Sequence, residues 1–164
     1  MTPRAVVETE INAPLPLTFA QAVRVDIPSI MPRRGVMPGV ARVDNQTGAW
    51  DAAGQSRTMV LTDGSSAFEE LTAYDLNRRF AYRVSAFSAP LSMIVAEANG
   101  DWRFTALSPD KTRITWTYGF TPKSTLVAPL VSIFATALWR GYIDSALGRV
   151  KTIIEQRREN ARAP

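Results

Sequence analysis

The stretch LVAPLVSIFATALWRGYIDSALGRVKTIIEQ, Leu126 to Gln156, decides the fold because its two halves obey different rules. From Trp139 onward, Ile143, Ala146, Leu147, Val150 and Ile154 recur at helical spacing, opposite Arg140, Asp144, Lys151, Glu155 and Arg158. That pattern is an amphipathic helix whose apolar stripe must face another element. The fourteen residues from Leu126 to Trp139 carry no charge at all. Running the same face backward in steps of three and four places Thr136, Ala135, Ser132 and Ala128 inward. Val127, Leu130, Val131, Phe134 and Leu138 then point outward. Three roles suit such a segment: a membrane span, a surface for a partner chain, or one wall of a cavity. A span needs about 20 apolar residues, and lengthening this one draws in Arg140 and Asp144 at about 2.5 to 3.5 kcal/mol each, so no stable membrane insertion is expected.

Composition narrows the chemistry. The 164 residues amount to one domain, expected to run from 1 to 164, with enough apolar content to build a core. Cysteine and histidine are both absent. That excludes disulfides, thiol nucleophiles, imidazole bases and thiolate or imidazole metal sites, so any acid or base is a carboxylate, Lys, Tyr or water. The carboxylate pairs Glu8/Glu10 and Glu69/Glu70 have no third ligand nearby, and no glycine-rich loop leads a strand into a helix. Neither a metal nor a cofactor is expected. Much of the net charge of +4 sits in Arg149, Lys151, Arg157, Arg158 and Arg162, at a helix end where cations suit the macrodipole. No nucleic-acid partner is expected. The opening MTPRAVVETEINAPLP lacks the continuous apolar run of a secretory signal, which makes a cytoplasmic location the expectation.

The rest of the chain is mostly strands. Ala5 to Ile11 alternates like a half-buried strand, NAPLP ends it, and Leu15 to Val23 forms a short helix. DIPSIMPRRGVMPG, Asp26 to Gly39, is too rich in proline and glycine for a regular element and too apolar for a solvated loop. Arg33 and Arg34 within it read as a solvated pair. Six further strands are expected at Val40–Asp44, Arg57–Leu61, Ser66–Tyr74, Phe80–Phe87, Glu97–Leu107 and Thr112–Thr121, with turns at Asn45–Gly48, Asp63-Gly64, Asn77-Arg78 and Ser108–Asp110. This order is α+β: about seven antiparallel strands in a curved sheet that buries its concave face against the C-terminal helix.

Four local motifs sharpen the reading: INAP at Ile11–Pro14, MPGV at Met37–Val40, YDLNRRFAYRV at Tyr74–Val84, and WRFTALSPDKTRITWTYGF at Trp102–Phe120. In this order and spacing the chain resembles the START-like, helix-grip SRPBCC superfamily, in its polyketide cyclase/dehydrase-like branch, over nearly its whole length. Family members often carry prolines where this chain has Leu76-Asn77. The resemblance implies a cavity between sheet and helix. It implies no particular reaction, since the superfamily includes lipid carriers, hormone receptors, aromatases and cyclases and has no universal catalytic motif.

The residues themselves supply a candidate cavity wall. Ile114, Trp116, Tyr118 and Phe120 alternate with polar residues, Trp102 and Phe104 sit across the preceding turn, and Phe80, Tyr82 and Val84 continue the face. A filled core is the competing explanation for any one of them. A two-residue turn at Asn77-Arg78 places Leu71 opposite Val84 and Ala73 opposite Tyr82, with Glu69 inward and Glu70 outward near Arg83. Glu69 is the one candidate acid, though a one-residue slip exchanges it with Glu70. The ligand-binding candidates are Leu71, Tyr82, Val84, Trp102, Phe104, Trp116, Tyr118, Phe120, Ser132, Ala135, Thr136 and Trp139. Three functions follow: binding or carriage of a small hydrophobic molecule, lipid-like or aromatic; catalysis of the cyclase or aromatase kind; or an interaction module, with a homodimer through Leu130, Phe134 and Leu138.

Overall fold

The computed structural model describes residues 2–164. Seven antiparallel strands form one open sheet: β1 (Arg4–Ile11), β2 (Val40–Asp44), β3 (Ser56–Leu61), β4 (Ser66–Asp75), β5 (Arg79–Ser85), β6 (Val95–Ser108) and β7 (Lys111–Pro122). Their spatial order is β1-β7-β6-β5-β4-β3-β2, so the first strand closes against the last and the remainder is a meander. Between β1 and β2 lie α1 (Leu15–Val23) and α2 (Ile27–Ile30), the latter capped by the Asp26 carboxylate accepting from Ser29 N. A long C-terminal helix crosses the sheet as α3 (Ala128–Ile133), a π-helical turn (Phe134–Trp139) and α4 (Arg140–Arg162). The architecture is the α+β curved sheet against a C-terminal helix that strand alternation and the amphipathic stripe predict, in the helix-grip form that the resemblance implies.

Alternation fixes which face is inside. Along β7, Thr112, Ile114, Trp116, Tyr118 and Phe120 are buried while the residues between them reach solvent. Irregularities in register within β2, β4 and β6 interrupt the ladders, and breaks of this kind bend strands so that the sheet curls around the helix. In α4 the stripe Ile143, Ala146, Leu147, Val150 and Ile154 is no more than 1% exposed, wedged against β1 and the inner sheet. Each large member contributes about 1.5 to 3 kcal/mol of burial before ordering entropy is counted. The basic end of α4 also ties down turns. Lys151 donates to Glu10 O, and Arg158 reaches both Asn12 O and the Asp110 carboxylate.

The β4–β5 hairpin departs from the expected register. The turn holds three residues, Leu76–Arg78, with Asn77 in the left-handed region at φ 61°, and Thr72 is bulged. Leu71 therefore faces Tyr82 and Ala73 faces Ala81, instead of Val84 and Tyr82. Before Thr72 the two one-residue shifts sum to two, which preserves the side that Glu69, Glu70 and Leu71 face; between the bulge and the turn only one applies, so Ala73, expected inside opposite Tyr82, lies on the outer face opposite Ala81. Glu69 stays inside, opposite Val84, and Glu70 stays outside, paired with Arg83.

The uncharged half of the helix departs further. Arg140 N donates to Ala135 O, five residues back, so this turn is wider than an α-turn and the face moves by about one residue. Val131 and Ala135 are buried, and Phe134 packs edge-on against Phe120 and near Trp139. Ser132 and Thr136, expected inward, are exposed, with the Thr136 hydroxyl donating to Ser132 O at 2.9 Å. Val131 and Phe134, expected outward with Leu130 and Leu138, face in. A three- or four-residue period cannot be carried through a π turn.

Candidate functional site

A cavity of about 430 Å³ lies between the concave sheet and the helices. Its floor is Phe80, Tyr82 and Val84 on β5, Trp102 on β6, and Trp116 and Tyr118 on β7. Met59, Ala67 and Trp50 line the β3–β4 side, Val23, Ile27 and Ile30 the α1–α2 side, and Phe134, Trp139 and Tyr142 the long helix. The exposed members of the lining, Val36, Asp63, Ala89 and Pro90, place the opening among three loops. The proline-rich segment after α2 folds back over it, as its apolar content requires. Tyr142 holds that segment by donating to the carbonyls of Met31 and Pro38, while Arg34 binds Gly141 O and the Ser145 hydroxyl. Arg34 is a tether rather than a free cation.

Of the residues chosen from sequence, Glu69, Tyr82, Val84, Trp102, Trp116, Tyr118 and Trp139 border this space. Leu71, Phe104, Phe120 and Ala135 do not; they are buried packing residues, Phe104 against Phe19 at 4.9 Å and Phe120 against Tyr118 at 5.1 Å. Ser132 and Thr136 are on the outer surface for the reason given above. Phe134 and Tyr142 take the helix side of the cavity instead.

The floor is a run of aromatic contacts: Phe80 stacks on Trp102 at 5.2 Å, Trp102 meets Trp116 at 4.5 Å, and Tyr118 meets Trp139 at 4.8 Å. Gly100 makes part of it possible. It pairs with both Tyr82 and Tyr118, and a Cβ there would stand 2.1 Å from the Tyr82 ring, so only glycine lets that ring lie flat across β6. In this position the Tyr82 hydroxyl accepts from Trp116 Nε1 at 3.1 Å. The indole N–H groups of Trp102 and Trp139 are buried with no acceptor among the described residues, an arrangement that costs about 1 to 3 kcal/mol for each. Burial, reinforced by the nearby Glu69 charge, pushes the Tyr82 phenol far above its ordinary value. Burial likewise raises Tyr118 well above the usual range, and lifts Tyr142 to about 12. These tyrosines are hydrogen-bonding groups at neutral pH and not bases.

The buried ion pair in the wall was half missed by sequence. Glu69, 5% exposed, receives Arg57 Nε at 2.8 Å and Nη2 at 2.5 Å on the same oxygen, Oε1. Arg57 is 7% exposed, and its guanidinium lies 3.8 Å over the Trp50 ring. Burial raises the Glu69 carboxyl above its ordinary value, and the Arg57 charge opposes that rise. A signal existed: Arg57 shares alternation with Met59, and it stands directly opposite Glu69 across the β3–β4 hairpin. No cluster of three or more His, Cys, Asp or Glu suited to a metal occurs among the described residues.

A curved antiparallel sheet gripping a long helix around an apolar cavity defines the helix-grip class of ligand-cavity folds. Residues 2–155 match the model of the polyketide cyclase / dehydrase and lipid transport family, and the chain belongs to that family. Among solved structures it is similar to the Zhui aromatase/cyclase from Streptomyces sp. R1128, with TM-score 0.71 and 18% identity over 96% of both chains. The protein TTHA0849 from Thermus thermophilus aligns with TM-score 0.69 and 15% identity over 93% of this chain and 97% of that one. Norcoclaurine synthase from Thalictrum flavum, solved with dopamine and hydroxybenzaldehyde, gives TM-score 0.69 and 13% identity over 95% and 88%. Identities this low establish the fold alone. No curated protein matches the sequence.

Proposed function

We propose that this protein binds or carries a small hydrophobic molecule, lipid-like or aromatic and polyketide-like, in the cavity between sheet and helix. The observation that carries this reading is the space itself: about 430 Å³ with a wall that is apolar apart from one buried ion pair, Asp63 at the opening and a few hydroxyl and indole groups. Natural cores are packed to crystal density, so a void of this size is a site for a ligand. Apolar burial supplies affinity, and the polar groups orient the guest. A thermal-shift panel of fatty acids, sterols, aromatic ketones and phenols tests it. Stabilisation that grows with the concentration of at least one class is the expected result, and a flat response across the panel refutes it.

A second reading, catalysis of the cyclase or aromatase kind, draws support from Glu69, a buried carboxylate in the cavity wall beside Tyr82 and Tyr118. The cavity would fold a flexible chain, and Glu69 would move a proton while the tyrosines donate hydrogen bonds. Replacing Glu69 with Gln then abolishes turnover with the fold retained by circular dichroism; unaltered turnover removes Glu69 from the chemistry. Homodimerisation is a separate proposal, and its surface is now Leu126, Leu130, Ile133 and Leu138, without Phe134. Sedimentation of wild type against Leu130→Asp reads it directly. Among the described residues, no helix is long and apolar enough to cross a membrane.

A further inference from the structure

Arg57 spends both Nε and Nη2 on Glu69 Oε1. Glu69 Oε2 and Arg57 Nη1 have no hydrogen-bond partner among the described residues, although both side chains are more than nine-tenths buried and both line the cavity. One face of the guanidinium is covered by Trp50. What remains unpaired in an otherwise apolar stretch of the wall is one carboxylate acceptor, with Nη1 on the far edge of the guanidinium.

We propose that this carboxylate anchors the hydroxyl of a hydrophobic alcohol or phenol, which donates to Glu69 Oε2. The proposal rests on the reading of the cavity as a ligand site and specifies the class of ligand. Charge balance selects the group. The ion pair is neutral as it stands, so a carboxylate ligand would leave a net negative charge and an ammonium ligand a net positive one, each desolvated without repayment. A ketone or a hydrocarbon leaves Oε2 unsatisfied. A hydroxyl supplies the donor that Oε2 lacks and adds no charge.

The test uses 2-naphthol and 2-methylnaphthalene, which share a shape and differ in a hydroxyl for a methyl. Dissociation constants are measured by calorimetry for wild type and for the double variant Arg57→Met/Glu69→Leu. Apolar residues there replace the pair at similar volume, a change that buried ion pairs tolerate. Comparing the two ratios cancels the difference in hydrophobicity between the compounds. The anchor predicts that wild type favours 2-naphthol by at least about tenfold more than the double variant does. Equal ratios overturn the anchor and leave the cavity reading intact; failure of wild type to bind either compound removes the cavity reading, and the anchor falls with it. Should the double variant not fold, wild type alone decides. The carboxylate carbon-13 resonance of Glu69 moves on adding 2-naphthol and stays on adding 2-methylnaphthalene, and identical behaviour with both overturns the proposal.

Discussion

The two halves of the C-terminal helix do opposite jobs with nearly the same backbone. In α4, from Ile143 onward, apolar side chains at regular spacing pack against the sheet, and Ile143, Val150 and their neighbours are no more than 1% exposed. In the preceding π turn, Phe134 and Trp139 meet the sheet at Phe120 and Tyr118 and form the far wall of a cavity, while Leu130 and Leu138 on the other side are exposed. The lesson is that one helix both clamps a sheet and holds part of it open, by changing its pitch at the boundary between the two tasks. The π turn brings Phe134 and Trp139, five residues apart, onto one face.

This contrast breaks most readily in the clamp. Leu147→Asp buries an unpaired charge in the stripe and is expected to remove the cooperative thermal transition, a loss above about 4 kcal/mol; Leu147→Ala, at about 2 to 5 kcal/mol, gives a folded comparison. In the cavity floor, Gly100→Ala forces the Tyr82 ring from its place and is expected to cost about 1 to 3 kcal/mol by denaturant midpoint, with the Trp116 indole resonance shifted by loss of its acceptor. Leu130→Asp, on the solvent side of the uncharged half, is expected to change stability by no more than about 0.5 kcal/mol in the same denaturant titration, since its side chain is already in water.

Alkaline pH sharpens the comparison further. Tyr82, Tyr118 and Tyr142 hold their protons in the folded protein beyond the unfolded value of 10.0. The unfolded chain therefore binds fewer protons above that pH, and the stability these groups contribute is complete below pH 10 and lost as pH rises through the folded values. A titration followed at about 295 nm is expected to show their phenolate absorbance only toward pH 12 or with unfolding. Normal titration near 10 would mean the cavity floor is wet.

Strand positions, the inner face of β7 and the α4 stripe were legible because they rest on long, regular alternation. The side on which Glu69 lies was legible for a weaker reason, since two register errors cancelled. The π turn was not, because it comes from backbone hydrogen bonds reaching five residues back instead of four, which leaves no mark on hydrophobic spacing. Ser132 and Thr136 were misplaced with it, and Phe134 was put on the wrong side. Arg57 was overlooked because a charged side chain in a strand reads as solvent-facing until its partner across the hairpin is counted. Trp50, buried with φ at 60°, lies outside any regular element, and no periodicity predicts a tryptophan in the left-handed region.

The central claim is that the space beneath Phe134 and Trp139 holds a small hydrophobic guest. Native mass spectrometry of the protein purified from its own source, before and after organic extraction, tests it most directly. The account predicts a small-molecule adduct that extraction removes and whose return restores thermal stability. A bare polypeptide mass in both samples, with an unchanged melting temperature, would contradict it.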